Sequence, residues 1–287
     1  MNGQPLVSVL MTAYNRQQFI AEAIESVLAS TYTNFELIIS DDCSTDGTVI
    51  NAKKYAEKDN RIRLYQNEKN LGDYPNRNKA ASYATGEFLM TVDSDDIIFK
   101  DAIERCMNLL SQFPQVNFAT YYRIPAKEPF VSDPATALNH HFFIEPYLMI
   151  HPGGTIIKRN YFESINRFPE KYGPANDNYY NLKAACNTDI LMIPFEFFYY
   201  RRHPGQQIND KYSYLYNNYR YTRDALNELN LPLKQDKITW LHKKNKRRFL
   251  VNIFLYLFKT LNFRKTINAI RYAEFTWKDA LTGIFQF

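Results

Sequence analysis

The sequence has little cysteine and little glycine, and each shortage excludes a class of protein. Its 287 residues include three cysteines, Cys43, Cys106 and Cys186, an odd number without CxxC spacing. We therefore expect neither a disulfide framework nor a zinc knuckle, and a reducing compartment fits best. The nine glycines form neither the P-loop pattern nor the GxGxxG pattern, so the two common glycine-rich phosphate-binding loops are absent.

A long hydrophobic run is also missing. The longest mostly apolar run, Phe249 to Phe258, covers ten residues and includes Asn252, which is about half of what a bilayer-spanning helix needs. Met1 to Pro5 lack the basic start and apolar stretch of a signal peptide. We therefore expect a soluble, cytoplasmic protein, and contact with the inner face of a membrane is left open.

What the chain does contain is enough apolar bulk for a folded core. Apolar residues make up 45% of the sequence, and 43 residues are Tyr or Phe, which excludes wholesale disorder. The net charge of +5 is unevenly divided. Residues 234–287 carry 12 Lys/Arg against three Asp/Glu, whereas residues 1–233 carry 23 against 27. An acidic globular part is thus followed by a basic C-terminal part.

The first hundred residues alternate between strand-like and helical patterns. Short apolar runs at 6–11, 35–39, 61–65 and 88–92 are separated by amphipathic segments that begin near Phe19, Thr48 and Tyr74. This alternation predicts an α/β fold with a mostly parallel central sheet flanked by helices.

The pattern loosens after Pro114. We predict strands at 116–122, 154–158 and 190–200, helices at 160–165 and 176–185, and a proline-punctuated loop region up to about Gly154. From Gln207 onward the sequence is typical of helices. The predicted organisation is an α/β domain over 1–205, with halves 1–100 and 101–205, and a helical extension over 206–287.

Acidic clusters follow two of the predicted strands. Asp41-Asp42 ends the second strand, and the tetrapeptide Asp93-Ser94-Asp95-Asp96 follows the fourth. A single Asp at a strand end is usually a cap or a turn former. Crowded carboxylates instead repel one another unless a cation neutralises them, and hard oxygen ligands select Mg²⁺ or Mn²⁺. Ligands in open α/β sheets bind at this edge.

Four segments in order carry a resemblance to a known family. They are 7–16 (VSVLMTAYNR), 41–46 (DDCSTD), 70–78 (NLGDYPNRN) and 86–96 (GEFLMTVDSDD). Together they resemble the family 2 inverting glycosyltransferases of GT-A fold, over residues 6–100 and more weakly to about 205. The resemblance implies a Rossmann-like GT-A sheet and a nucleotide-diphosphate-sugar donor.

The resemblance also implies roles for individual residues of the first half. Thr12 and Tyr14 would line the nucleotide base pocket, and Asp42 would hydrogen-bond the base. Arg77 would approach the nucleotide. Asp93 and Asp95 would form the Asp-X-Asp motif, with Asp95 as the direct metal ligand. From the residues alone, a structural role for Tyr14 and a solvated helix face for Arg77 remain open.

The second half should supply the general base and a further metal ligand. The family places the base in an acidic dipeptide at a helix start, which maps to Asp177, although Asn176 departs from the usual acid before it. A helix N-cap is the alternative for Asp177. His203, in Tyr200-Arg201-Arg202-His203, resembles a segment that closes over the nucleotide. It would complete the metal shell, meet phosphate, or be merely structural. No role is assigned to His151.

We therefore expect a metal-dependent enzyme using Mn²⁺ or Mg²⁺. It would transfer one sugar from a nucleotide-diphosphate sugar, a UDP-sugar in the first instance, to a glycan or lipid-linked acceptor in surface polysaccharide biosynthesis. The Gln-X-X-Arg-Trp signature of processive synthases is absent, which favours single transfer. No nucleic-acid partner is expected, and an oligomer is left open. The alternatives are a sugar-phosphate nucleotidyltransferase and a non-catalytic nucleotide- or glycan-binding module.

The basic C-terminal part has two interpretations. Five Lys/Arg between Lys243 and Arg248 directly precede the apolar run 249–258. This arrangement suits docking on an anionic membrane surface. Ten mostly apolar residues in a row equally describe a helix that packs on the preceding domain or in a dimer.

Overall fold

Two β-sheets organise the structure, which is a computed structural model describing residues 3–123, 128–206 and 209–285. The main sheet has eight strands. They are β1 Val7–Ala13, β2 Phe35–Asp41, β3 Ile62–Gln66, β4 Phe88–Thr91, β6 Phe118–Tyr121, β7 Phe130–Ser132, β8 Thr155–Lys158 and β9 Ile190–Ile193. A small second sheet pairs β5 Ile97–Ile98 with β10 Phe198–Tyr199.

The strand order of the main sheet is β3-β2-β1-β4-β8-β6-β9-β7. The first four strands run parallel to one another, and β6 is parallel to β9. Strand β8 runs antiparallel to both of its neighbours, and β7 is antiparallel to β9. The predicted α/β fold with a mostly parallel sheet is confirmed, and β8 is the strand that reverses direction beside β4.

Eleven helices surround the sheets in the part of the chain that the structure describes. They are α1 Ile20–Leu28, α2 Thr48–Ala56, α3 Asp73–Ser82, α4 Ala102–Ser111, α5 Pro134–Phe143, α6 Arg159–Ser164, α7 Asn176–Ala185, α8 Lys211–Glu228, α9 Gln235–Thr260, α10 Phe263–Tyr272 and α11 Trp277–Phe285. Two short 3₁₀ turns, Pro152–Gly154 and Gly173–Ala175, lie just before β8 and α7.

Apolar side chains are buried on both faces of the sheet. Along β1, Val7, Val9 and Met11 belong to one core cluster, whereas Leu10 belongs to the other. Successive residues of a strand point to opposite faces, so a continuous apolar run is what a strand covered on both sides requires. Helix α1 buries Ile20, Ile24 and Val27 in the first cluster.

Two segments differ from the sequence prediction. The region predicted as a loop up to Gly154 contains β7 and α5, and α5 starts where the Asp133 carboxylate accepts a hydrogen bond from Thr136 N at 3.0 Å. An Asp N-cap followed by proline is a helix-start signal. The several prolines of this region favour a loop when they are taken together, and the sequence prediction therefore missed this helix. The segment 190–200 is two strands, β9 and β10, separated at Pro194.

The C-terminal helices pack on the rest of the chain and on one another. Gln207, where the helical pattern was predicted to begin, lies outside the described residues, and α8 starts at Lys211. Tyr221 and Ala225 of α8 share a core cluster with Leu182 of α7. A separate small cluster joins α8, α9 and α10. The division at residue 205 stays a prediction. Within the described residues, no helix has both the length and the apolar composition needed to cross a bilayer.

Candidate functional site

A large cavity opens where strands β1, β2 and β4 end. Its volume is about 1060 Å³, enough for a ligand larger than a typical drug molecule. Seven of the eight predicted site residues line it, namely Thr12, Tyr14, Asp42, Arg77, Asp93, Asp95 and Asp177. The eighth, His203, contacts Asp95 at the edge of the cavity. The structure thus brings residues from both halves of the sequence to one place.

The end of β1 presents Thr12 and Tyr14 to the cavity. The Thr12 backbone carbonyl accepts a hydrogen bond from Ser94 Oγ at 2.7 Å, which ties the end of β1 to the acidic tetrapeptide. The Tyr14 side chain is 45% exposed, so its ring is not a core residue. An exposed aromatic face at a cavity is suited to stacking on a planar ligand.

Asp42 is buried and organises the loop that precedes α3. Its carboxylate accepts hydrogen bonds from Asn67 Nδ2 at 2.9 Å, from Leu71 N at 2.8 Å and from Gly72 N at 2.9 Å. Gly72 has φ of 92°, a conformation that favours glycine. These bonds explain physically why Asp42 and the Asn-Leu-Gly motif occur together. A carboxylate has about four acceptor positions, so one remains for a ligand.

Arg77 lies between two carboxylates and is not on a solvated helix face. Its Nε donates to Asp73 Oδ1 at 2.8 Å, its Nη1 donates to Asp93 Oδ1 at 2.6 Å, and the residue is 7% exposed. Burial alone would raise the pKa of Asp93, but the Arg77 guanidinium holds it below its usual range. Burial raises the pKa of Asp73 in spite of the same guanidinium. Arg77 therefore neutralises the acidic edge next to the nucleotide position that the sequence predicts.

Replacing Arg77 by Met is expected to lower the free energy of unfolding by about 3 kcal/mol, because Asp73 and Asp93 would lose their buried partner. Guanidinium chloride unfolding measures the change. Lys53→Met is the matched control, since Lys53 forms an exposed ion pair with Glu57, also four residues apart, at 3.9 Å. Such a surface pair contributes about 0–1 kcal/mol. Equal effects of the two substitutions would contradict the buried bridge.

Asp95 is held by two side chains that converge on one of its oxygens. Arg16 Nε donates to Asp95 Oδ2 at 2.9 Å, and His203 Nε2 lies 2.9 Å from the same atom. The His203 ring also stacks on Phe19, with centroids 4.7 Å apart. A hydrogen bond holds the segment 200–203 next to these side chains: Arg201 N donates to Asp96 Oδ1 at 2.9 Å. Arg16 is a contact that the sequence reasoning did not assign, although it directly follows Tyr14-Asn15 in the first motif.

A second cluster of possible metal ligands lies beside this pair. Asp93, Asp96 and His151 each offer a ligand atom, and these atoms lie within 4.8 Å of one another. Burial and the negative charge of Asp93 raise the pKa of Asp96 to about 8. Both ring nitrogens of His151 are buried and have no hydrogen-bond partner among the described residues. The sequence assigns no role to His151, because no pattern in the chain shows that this residue meets the acidic tetrapeptide.

The backbone around His151 is shaped to hold its ring. A Cβ at Gly153 would lie 2.8 Å from His151 Cε1, so glycine is required there for the imidazole to lie against the turn. Asn181 of α7 fixes the preceding segment, since its Nδ2 donates to Leu148 O at 2.8 Å and to Ile150 O at 2.7 Å. The same helix carries Asp177, so one element positions both side chains.

Asp177 lies at the second position of α7 and faces the cavity. The N-cap of this helix is Ala175, so Asp177 is not the capping residue. Its Oδ1 accepts a hydrogen bond from Asn178 N at 2.7 Å. Burial raises the pKa of Asp177 to about 7. A carboxylate with a pKa near neutrality is suited to proton transfer at physiological pH.

Asn176, the residue that departs from the family pattern, has a structural role. Its Oδ1 accepts from Tyr172 N at 2.9 Å, and its Nδ2 donates to Gly173 O at 2.8 Å. The amide thus stabilises the turn that leads into α7. Cys43, in the second of the four motifs, has φ of 63°, a left-handed conformation that glycine adopts with less strain than other residues.

The Glycosyl transferase family 2 profile matches residues 8–204. The matched part contains nearly all of the main sheet and most of the residues that line the cavity, and the chain therefore belongs to this family. Among solved structures it is similar to TarS of S. aureus in complex with UDP-GlcNAc, with a TM-score of 0.71 and 22% identity, over 92% of this chain and 79% of TarS 1–349. The GT-A fold implied by the sequence is confirmed.

The chain is also similar to a second solved structure and to a curated enzyme of known name. The mannosyltransferase PcManGT from Pyrobaculum calidifontis, in complex with GDP-Man and Mn²⁺, has a TM-score of 0.66 and 19% identity over 95% of this chain and 81% of its own. The Escherichia coli UDP-Glc:alpha-D-GlcNAc-diphosphoundecaprenol beta-1,3-glucosyltransferase WfgD is 39% identical over 105 residues, 37% of this chain and 41% of WfgD. The chain spans half or less of the length of WfgD and of the other curated relatives that it matches.

Proposed function

We propose that this chain is an inverting glycosyltransferase that moves a single sugar from a UDP-sugar to a hydroxyl group of a glycan or lipid-linked acceptor. The observation that carries the proposal is one cavity that holds both the strand-end carboxylates and Asp177. A donor diphosphate and an acceptor hydroxyl need these two kinds of group on opposite sides of the reacting carbon. The family membership of the chain supports this reaction class.

Asp177 is proposed as the general base. Its carboxylate would take the proton from the acceptor hydroxyl while that oxygen forms a bond to the anomeric carbon of the donor sugar. The bond from this carbon to the diphosphate oxygen breaks in the same step, and the nucleoside diphosphate leaves with the electron pair. A single displacement from the opposite side inverts the configuration. Desolvation raises the pKa of the Asp177 carboxyl to about 7, which makes it a stronger base than a fully exposed Asp.

A divalent cation, Mn²⁺ or Mg²⁺, is proposed as the cofactor. The donor set fits such an ion, because carboxylate oxygens and an imidazole nitrogen converge on the acidic edge. Asp95 and His203 would hold the ion, and Asp93 would lie beside the nucleotide. When bound, the ion would neutralise charge that develops on the leaving diphosphate. The Mn²⁺ in the PcManGT structure supports this assignment.

The donor and the nucleotide contacts are proposed from the cavity wall at β1 and β2. Tyr14 would stack on the base together with Thr12, Asp42 would accept the imide N–H of uracil, and Arg77 would contribute positive charge next to the diphosphate. UDP and UDP-GlcNAc are bound by TarS, and WfgD is named as a UDP-Glc enzyme. These names support a UDP-sugar more than the GDP-Man of PcManGT does.

The acceptor is proposed to be a lipid-linked glycan in surface polysaccharide biosynthesis. WfgD is named for a diphosphoundecaprenol acceptor, which supports this class. Such an acceptor is anchored in a bilayer, so the enzyme would act at the inner face of the membrane. The match covers 41% of WfgD, so the acceptor class is proposed for this chain and is not transferred from that enzyme.

UDP with Mn²⁺ is expected to raise the melting temperature of the protein by roughly 5–10 °C. A ligand present at about 100 times its Kd stabilises the folded state by about 2.7 kcal/mol, and each kcal/mol corresponds to roughly 2–4 °C for a chain of similar size. A thermal-shift screen measures the effect. ADP is the matched control, because adenine has no imide N–H for Asp42 to accept. A protein stabilised by no nucleoside diphosphate would contradict the proposed function.

A further inference from the structure

One face of helix α9 is apolar and exposed. Val251, Phe254, Leu255 and Phe258 stand at positions i, i+3, i+4 and i+7, which lie on one side of a helix, and their exposed fractions are 47%, 52%, 61% and 75%. These four side chains form the apolar face of α9. Single exposed apolar residues are ordinary, but a contiguous set marks a surface that binds something.

The opposite face of α9 already has its packing partners. Phe249 and Ile253 are 2% and 6% exposed and belong to the small cluster with Tyr219 of α8 and Ala269 of α10. The Phe249 and Tyr219 rings lie 4.8 Å apart. The apolar run 249–258 is thus divided between an inner side that is part of the fold and an outer side that is not. Folding of the described chain therefore does not account for the apolar face.

Further exposed apolar residues lie beyond this face in both directions along the chain. Towards the C-terminus, Leu261 and Phe263 at the turn into α10 are 71% and 65% exposed. Towards the N-terminus, Trp240 lies three turns before Val251 on the same side of α9 and is 40% exposed. Its ring contacts Phe143 of α5, with centroids 5.4 Å apart.

The segment that contacts Trp240 continues along the chain to the cavity that Asp177 lines. Phe143 is followed by Ile144, which is 78% exposed, and a few residues later by Met149, which is 42% exposed and lines the cavity. A flat partner that covered both the apolar face and Trp240 would therefore lie beside the segment that contributes Met149 to the cavity wall.

The C-terminal part of the chain that carries the apolar face has a strong excess of positive charge. Residues 234–287 contain 12 Lys/Arg and three Asp/Glu. Two of these acids are already in ion pairs, Glu274 with Arg223 at 3.0 Å and Asp279 with Lys246 at 2.9 Å. Lys259 and Arg264 lie exposed at the end of the apolar face. The partner of this surface should therefore be both negatively charged and able to bury apolar side chains.

We propose that the apolar face of α9, with Lys259 and Arg264, docks on the surface of an anionic lipid bilayer. Aromatic and aliphatic side chains would enter the interface between headgroups and acyl chains, while the cations stay among the anionic headgroups. A second copy of this chain fits less well, because a two-fold dimer would bring the same positive charges together. The inference goes beyond glycosyl transfer and depends on neither the donor nor the base.

Liposome flotation with the full chain tests the proposal. The protein should float with vesicles of phosphatidylcholine and phosphatidylglycerol at low salt, float poorly with phosphatidylcholine alone, and detach at high salt. The variant Phe254→Ser/Leu255→Ser/Phe258→Ser should lose flotation. Lys259→Gln/Arg264→Gln should weaken binding to anionic vesicles by roughly 25-fold, about fivefold for each cation. Ile50→Ser is the matched control, because Ile50 of α2 is an exposed apolar residue, 65% exposed, on a different helix.

Two further measurements keep the outcomes distinct. Circular dichroism and UDP binding should be unchanged in both variants, because the substituted side chains are exposed and outside the cavity. If the triple variant unfolds, the Lys259→Gln/Arg264→Gln variant alone decides. Flotation that is insensitive to the substitutions would overturn the proposal, and so would a dimer in sedimentation equilibrium that dissociates in the triple variant. Neither result would affect the proposed transfer reaction.

Discussion

Replacing Asp177 by Asn is expected to reduce transfer to the acceptor by roughly 10²–10⁴-fold, the usual contribution of a general base. The substitution is nearly isosteric, and the amide oxygen can still accept the hydrogen bond that Asn178 N donates at 2.7 Å. Ala175, not Asp177, is the N-cap of α7, so helix stability should hardly change. Turnover per folded molecule, measured with a fixed donor and acceptor, gives the effect.

The pH dependence of the same reaction follows from the raised pKa of Asp177, about 7. The base acts only when it is deprotonated, so activity should rise as the pH increases through about 7. Burial is the main cause of the raised pKa. The Arg77 guanidinium lowers it and the Asp73 carboxylate raises it. The residual activity of Asp177→Asn should lack this rise, because the amide does not titrate.

Titration of Asp177 should also change the free energy of unfolding with pH, in the direction opposite to the change in activity. The pKa of Asp177 is higher in the folded protein than its usual value of 3.8, so the charged form destabilises the fold. This residue therefore reduces stability as the pH rises from about 4 to about 7, and Asp177→Asn removes that effect.

Asp133→Asn is the matched control for the base. Asp133 lies at the N-terminus of α5, and its carboxylate accepts from Thr136 N at 3.0 Å, a bond that Asn preserves. Its activity and pH profile should equal those of the unsubstituted protein. If Asp177→Asn instead melted early and kept its turnover per folded molecule, Asp177 would be structural and the base would have to be another residue.

The first hundred residues could be predicted from the sequence because their signals are local. Strand β1 is covered on both faces, and its sequence is therefore a nearly continuous apolar run. The buried face of helix α1 is visible in the spacing of Ile20, Ile24 and Val27. The acidic clusters stand directly at the ends of β2 and β4, where parallel strands place them at one edge. Local pattern and topology agree here.

The later half was less predictable because long-range contacts decide its structure. Strand β8 runs antiparallel between β4 and β6. No pattern in the residues Thr155–Lys158 indicates which strands it pairs with or in which direction. Likewise, His151 meets Asp93 and Asp96 only through the packing of this strand beside β4. For Arg77, the residues alone leave a solvated helix face open as the alternative to a position near the nucleotide. In the structure its side chain is buried between two carboxylates, Asp73 of its own helix and Asp93 after β4.

Replacing Asp95 by Asn is expected to abolish the dependence of UDP binding on a divalent cation. In the unsubstituted protein, calorimetry should show at least about 100-fold tighter UDP binding with Mn²⁺ than with EDTA, since the loss of groups that merely support a metal ligand already costs 10–100-fold in metal affinity. His203→Asn should reduce the difference as well, because His203 Nε2 and Arg16 Nε meet on Asp95 Oδ2 at 2.9 Å. Equal UDP affinity in Mn²⁺ and in EDTA would contradict the metal assignment.

The comparison with His151→Asn distinguishes the two sets of candidate ligands. If Asp95 and His203 hold the ion, His151→Asn should keep most of the Mn²⁺ dependence, since its ring faces the other cluster with Asp93 and Asp96. If His151→Asn loses the dependence and His203→Asn keeps it, the ion belongs to that cluster. His203 would then act by closing the segment 200–203 over the nucleotide. The buried ring nitrogens of His151 have no hydrogen-bond partner in the part of the chain that the structure describes. This supports the second outcome as the alternative, because a buried polar atom without a partner is accounted for by a bound ion.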